Sequence, residues 1–336
     1  MSRQENQIDK LKFGTFMNTS WTCIQDNDNE GHCFYLFFQE IGTKNYPLGI
    51  TGIVTALLIP PSNCYAIWYF KAKMKLNKTF LLLLIVLCLY NISYTVAGLF
   101  IGLARIVDDH PFGNIGCTVN VFLGTVIGAS KMMTNAVACY ERRKIVEEIN
   151  CYKYSQNKNE MWKMTLIVTG ILFSSFSIYF VQFILLNVQQ LVPVQGWDGR
   201  TYQACVVLSY KLGGFFTEII YTISIFFLPC IIISYNSILI VKAMLVWQKE
   251  ALKITGFMLA KRIKQRQFRL SIVMACSVVE FLLFQIPITI VLLMVTIEGY
   301  GNSYNLSSST FAICLTLINF ECIINPLWIS FTHNMF

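Results

Sequence analysis

Seven stretches of this sequence are each long and apolar enough to cross a lipid bilayer as a helix. A helix needs about 20 mostly apolar residues to do so, which predicts an all-α membrane protein folded as a seven-transmembrane helix bundle. Charged residues make up 13% of the chain, about half their share in soluble domains, which argues against a soluble enzyme, a disordered chain or a fibrous protein. The stretches are residues 47–70, 79–103, 116–140, 164–187, 213–241, 270–296 and 309–331, and we call them spans one to seven.

The basic residues predict the orientation of this bundle. The loops after spans one, three and five carry 18 of the 26 lysines and arginines, and the opposite side carries 7. Because cytoplasmic loops carry the excess of positive charge, we expect a multi-pass cell-membrane protein with its N-terminus outside. Residues 1–46 are then an extracellular tail, 47–331 the bundle, and 332–336 the start of a truncated cytoplasmic tail. The sequons at Asn18 and Asn305 fall outside, as candidate glycosylation sites.

The same distribution argues against two other classes of function. The net charge of +8 is what alternating membrane loops require, so we expect membrane lipids and no nucleic acid as partners. None of the three histidines lies near a plausible Ser or Cys nucleophile, and no phosphate-binding loop or C-x-x-C pair occurs. We therefore expect no enzymatic activity, no cofactor and no metal.

The two ends of span three carry a cysteine and a charged triplet. Cys117 precedes Arg142 by 25 residues, within Glu141-Arg142-Arg143, and a helix of that length covers roughly 37 Å. In this pattern the chain resembles the rhodopsin-like (class A) G-protein-coupled receptors, which implies that Glu141 and Arg142 couple it to a heterotrimeric G protein. Other positions that fit the family's motifs, including switch candidates in spans five and six, are Asn63, Pro229, Phe281, Pro287 and Asn325-Pro326.

The resemblance also implies a disulfide on the outer side. In the family, the cysteine at the top of span three is bridged to the second extracellular loop, which makes Cys117 and Cys205 the expected pair. Cys23 and Cys33 in the tail are a second candidate pair, because their number is even and their location is exposed.

Several positions depart from the family's pattern. Asn91, or in a shifted alignment Cys88, replaces the aspartate of span two, and Gln285 replaces the tryptophan of span six and remains a switch candidate. Ile329 and Ser237 replace two tyrosines that commonly support the active state in relatives, so the sequence leaves efficient signalling open.

Lys131 lies near the bilayer centre, where an unpaired ammonium is costly. Glu321 shares a helix face with Asn325, four residues on. In the family, the positions of these three residues and of Asn91 surround a polar cavity that often binds sodium. We expect the Lys131 ammonium to replace that ion and to pair with Glu321; alternatively, Lys131 points elsewhere as a neutral amine or pairs with Glu280. The residues expected on the inward face of span three with Lys131 are Gly124, Gly128, Asn135 and Arg142.

The second extracellular loop gives the one hint about the ligand. Residues 190–206 alternate as two short strands around Asp198-Gly199, which predicts a β-hairpin similar to that of many peptide receptors. The resemblance argues against two ligand classes. Amine receptors of the family carry an aspartate at the position of Gly124, and opsins carry the lysine that binds retinal at the position of Asn319. The candidates for the ligand pocket are Gly124, Thr125, Gly128, Glu218, Tyr221, Gln285, Thr289 and Phe311.

The function that these features predict is that of a G-protein-coupled receptor. We expect it to sense an extracellular ligand, in the first place a peptide, and to activate a heterotrimeric G protein. A chemosensory receptor for a small molecule is the alternative within this fold, and a membrane transporter or channel is the alternative from another class.

Overall fold

The computed structural model consists mainly of long helices. Those of spans one to four and span seven are present, and by length and composition these five can each cross a membrane. The helices are α1 Tyr46–Ala72, α2 Lys78–Val107, α3 Gly113–Asn150, α4 Lys158–Tyr179, α5 Leu228–Ile254, α6 at residues 283–288 and α7 Ser309–Asn334. The structure describes residues 14–16, 19–25, 31–37, 46–73, 78–107, 113–150, 158–180, 189–195, 201–208, 219, 223, 227–254, 280, 283–288, 290, 303–305 and 309–334.

Spans five and six are described only in part. Helix α5 contains an apolar stretch, Leu228–Ala243, that covers the second half of span five, and most of 213–226 lies outside the described residues. In span six the structure describes residues 280, 283–288 and 290.

Glycines allow α1 and α2 to pack closely. A Cβ atom added to Gly102 would lie 2.7 Å from Cγ1 of Ile53 and 3.0 Å from the backbone oxygen of Gly49. Any larger residue at this position would force the two helices apart, because packed interiors leave no room for an extra methyl group. Helix α1 also contacts α7, and α3 contacts α2, α4 and α5, so α3 lies at the centre of the described bundle.

Six short strands form one sheet in the order β1-β2-β3-β6-β5-β4. The predicted hairpin between spans four and five is present, because β4 and β5 pair antiparallel. The N-terminal tail forms three strands that were not predicted from the sequence. The third of them, β3, pairs parallel with β6. The strands are β1 Gly14–Phe16, β2 Thr19–Gln25, β3 Gly31–Phe37, β4 Gln189–Gln195, β5 Thr201–Leu208 and β6 Ser303–Asn305.

Candidate functional site

A buried ion pair joins α3 to α7. The Nζ atom of Lys131 lies 3.2 Å from Oε1 of Glu321, and the two side chains are 7% and 3% exposed. The other carboxylate oxygen of Glu321 accepts a hydrogen bond from Nε2 of Gln285 on α6. One carboxylate therefore ties three helices together in a region closed to solvent.

Glu280 is the other carboxyl group in this region. It is 8% exposed and interacts electrostatically with both Lys131 and Glu321. The ion pair of Lys131 is nevertheless with Glu321, which is the partner expected from the shared face with Asn325.

Cys322 extends the contacts of the ion pair to α1 and α2. Lys131 Nζ donates to its Sγ at 3.2 Å. Its backbone oxygen accepts from Nδ2 of Asn63 at 2.9 Å and from Nδ2 of Asn91 at 3.4 Å. That oxygen is available because residue 326, which would normally donate to it along the helix, is a proline without an N–H group.

The two asparagines also bond to each other. Asn91 Nδ2 donates to Oδ1 of Asn63 at 3.0 Å, so a continuous polar network runs from α1 through α2 and α7 to the lysine on α3. Asn63, Asn91 and Cys322 are each at most 4% exposed, and a buried network of this kind fixes the relative positions of the helices that contribute to it.

A small cavity of about 20 Å³ borders this network. Its volume is enough for one water molecule. Among the described residues, Oδ1 of Asn91 has no hydrogen-bond partner. The polar residues that line the cavity are Asn91, Lys131, Asn135 and Asn325. Three of the four predicted core residues therefore border it, and the fourth, Glu321, contacts it through its ion pair with Lys131.

A disulfide lies near the N-terminal end of α3. Cys117 is disulfide-bonded and fully buried, and strand β5, which contains Cys205, contacts α3. In the tail, Cys23 and Cys33 are directly opposite on β2 and β3. Opposite residues of an antiparallel pair have a Cα separation that a disulfide can bridge. Cys205 as partner of Cys117, and a bond between Cys23 and Cys33, stay predictions.

The part of α3 farther along the chain from Cys117 carries the coupling candidates. Glu141 is 6% exposed, and the guanidinium carbon of Arg142 lies 4.9 Å from the ring centroid of Phe80 on α2. A pairing of Glu141 with Arg142 stays a prediction. Phe80 was missed in the sequence because one aromatic residue in an apolar span carries no signal of its own.

The remaining candidates are only partly described. On α3, Thr125 is buried and Gly124 and Gly128 are half-buried; Gln285 and Pro229 are buried, and Pro287 is half-buried. Asn305 lies in β6 and Phe311 in α7, without described side chains. The candidates outside the described residues are Asn18, Glu218, Tyr221, Phe281 and Thr289.

Comparisons with known proteins agree with this architecture. The model of a family described as "7 transmembrane receptor (rhodopsin family)" matches residues 62–328. The fold is also similar to the crystal structure of squid rhodopsin, with a TM-score of 0.66 at 17% identity over 86% of this chain and 82% of the other. A search of curated proteins found no match. Since the family match covers well over half of the sequence and reaches all seven predicted spans, the chain belongs to the rhodopsin family of seven-transmembrane receptors.

Proposed function

We propose that this receptor converts the binding of an extracellular ligand into the activation of a heterotrimeric G protein. Its family consists of multi-pass membrane receptors, not enzymes. The observation that carries the proposal is the position of Glu141 and Arg142 at the inner end of α3, in a chain whose family match runs from residue 62 to residue 328.

Helix α3 is the element that connects the two sides of the membrane. It carries the disulfide-bonded Cys117 near its outer end and Arg142 near its inner end, roughly 37 Å apart along a helix. A ligand that binds better to one packed state of the bundle shifts the population toward that state. The inner end of span six then moves outward, and Arg142 turns toward the G protein.

The ion pair lies between these two ends. Glu321 accepts from Gln285 on α6 and pairs with Lys131 on α3. An outward movement of span six must therefore break the bond of Gln285 or carry Glu321 with it. This arrangement supports a role for the pair as the internal element whose contacts differ between the two states.

The Lys131 ammonium serves as the positive charge of this core. It lies beside the cavity lined by Asn91 and Asn325, where relatives often hold sodium against an aspartate. Because a tethered cation is already paired with Glu321 at 3.2 Å and residue 91 is a neutral asparagine, a sodium ion gains little from entering. We infer that sodium does not regulate this receptor.

A peptide is the first candidate for the ligand. The antiparallel strands β4 and β5 give the second extracellular loop the hairpin that is similar to the loop of peptide receptors. The excess of basic residues on the opposite side of the membrane supports an extracellular position for this loop.

A small molecule is the second candidate, favoured by the tail. Strands β1 to β3 extend the hairpin, through β6, into a six-stranded sheet. Five strand spacings make such a sheet about 24 Å wide, so on the outer side of the bundle it would narrow the route for a large ligand.

The test is a screen of the full-length receptor for ligand-dependent nucleotide exchange on a panel of G proteins. Peptide and small-molecule libraries are applied in parallel arms to distinguish the two ligand classes. Exchange that depends on both receptor and ligand supports the proposal. Ligand-dependent uptake or current without exchange on any G protein would instead indicate a transporter or channel.

A further inference from the structure

The inner end of α3 is held by an aromatic contact from α2. The Arg142 guanidinium carbon is 4.9 Å from the centroid of the Phe80 ring, within the distance of about 6 Å over which a cation is attracted to a ring face. The ring is 7% exposed, so its face is largely shielded from water.

The Phe80 ring is itself rigidly supported. It belongs to a buried cluster to which α1, α2, α3, α4 and α7 all contribute, with Phe70, Leu84, Ala138 and Ile329 among its members. A ring fixed on several sides presents its face at a constant position. The contact therefore costs little side-chain entropy on the aromatic side.

We propose that Phe80 is a positioning residue that holds Arg142 against α2, and that Arg142 must leave this ring before it can engage a G protein. The contact itself is independent of the proposed signalling function, whereas its consequence for signalling rests on that function. Losing a cation–aromatic contact of this kind should raise the ratio of receptors with Arg142 away from the ring to receptors with Arg142 on the ring by roughly two- to thirty-fold.

The experiment replaces Phe80 with phenylalanines that carry one, two or three fluorines in the full-length receptor. Fluorine withdraws electron density from the ring face and changes its size little, so packing is nearly preserved. The melting temperature of the ligand-free receptor is measured together with its basal, ligand-independent nucleotide exchange. We expect the melting temperature to fall and basal exchange to rise stepwise with each fluorine.

The matched control is the same series in an Arg142→Gln background, where no cation faces the ring. There the dependence of melting temperature on fluorine number should vanish. If the melting temperature of the parent series does not change with fluorine number, or falls equally in both backgrounds, Phe80 only fills space and the proposal is overturned. If neither the parent nor any variant activates a G protein, the proposed signalling function fails, while the melting series still decides the contact.

Discussion

Breaking the ion pair between Lys131 and Glu321 from either side should destabilise the receptor strongly. The two charged atoms are 3.2 Å apart and the side chains 7% and 3% exposed, so the partner left behind keeps a charge that water cannot reach. Losing one member of such a pair costs roughly 3 to 5 kcal/mol, whereas replacing both with neutral residues can cost little. Lys131→Met and Glu321→Gln should each destabilise the protein by that amount.

The remaining contacts modify these losses. In Lys131→Met, Glu321 still accepts from Gln285, whereas in Glu321→Gln the ammonium loses its ion-pair partner and keeps a hydrogen bond to Cys322, whose thiol is a weak acceptor. At roughly 2.1 cal/mol/K per residue, a chain of 336 residues has an unfolding entropy of about 0.7 kcal/mol/K. Each single substitution should therefore lower the melting temperature by roughly 4 to 7 °C. The double variant should lose at least about 2 kcal/mol less than the sum of the singles.

The assay is a double-mutant cycle on thermal unfolding of purified receptor in one membrane mimetic. A second cycle, Lys131→Met with Glu280→Gln, is the control, because Glu280 interacts with the lysine but is not its ion-pair partner. We expect the larger coupling in the Glu321 cycle. Losses that add within about 0.5 kcal/mol, or a larger coupling to Glu280, would refute this description of the core.

Three further outcomes follow. Replacing Cys117 or Cys205 with serine should remove a bond worth about 2 to 5 kcal/mol and abolish surface expression. In the parent receptor, mass mapping should find the two cysteine peptides linked, and free thiols at both positions in receptor from the cell surface would contradict the pairing. The parent should show no sodium-dependent change in melting temperature, whereas the triple variant Asn91→Asp, Lys131→Ser, Glu321→Asn should gain a stabilisation by sodium that potassium does not give; a sodium response in the parent would count against the tethered cation. Gly102→Ala should cost about 1 to 3 kcal/mol through the 2.7 Å contact with Ile53, whereas the control Gly170→Ala, with nothing within 4 Å, should be neutral or slightly stabilising; equal effects would mean that α1 and α2 do not pack closely at Gly102.

The helices and the central ion pair were predictable for physical reasons. In a chain with so few charged residues, apolar stretches of about 20 residues predict transmembrane helices. The partner of Lys131 followed from the cost of burying a charge and from the helical spacing that puts Glu321 on one face with Asn325.

Other features depend on contacts that no local pattern encodes. Pro326 predicts a free carbonyl at Cys322, but the sequence does not reveal that Asn63 and Asn91 donate to it. The tail strands were missed because their partners lie far away in the chain; β3 pairs with β6 more than 260 residues later. The contact of Phe80 with Arg142 likewise depends on how α2 packs against α3.

The central claim is that Arg142 transmits the ligand signal to a G protein, and one comparison tests it directly. Parent receptor and Arg142→Ala are placed in lipid nanodiscs, and ligand affinity and ligand-dependent nucleotide exchange are measured on the same samples. We expect the variant to bind ligand with an affinity within about threefold of the parent and to catalyse no exchange. Full exchange by Arg142→Ala would contradict it.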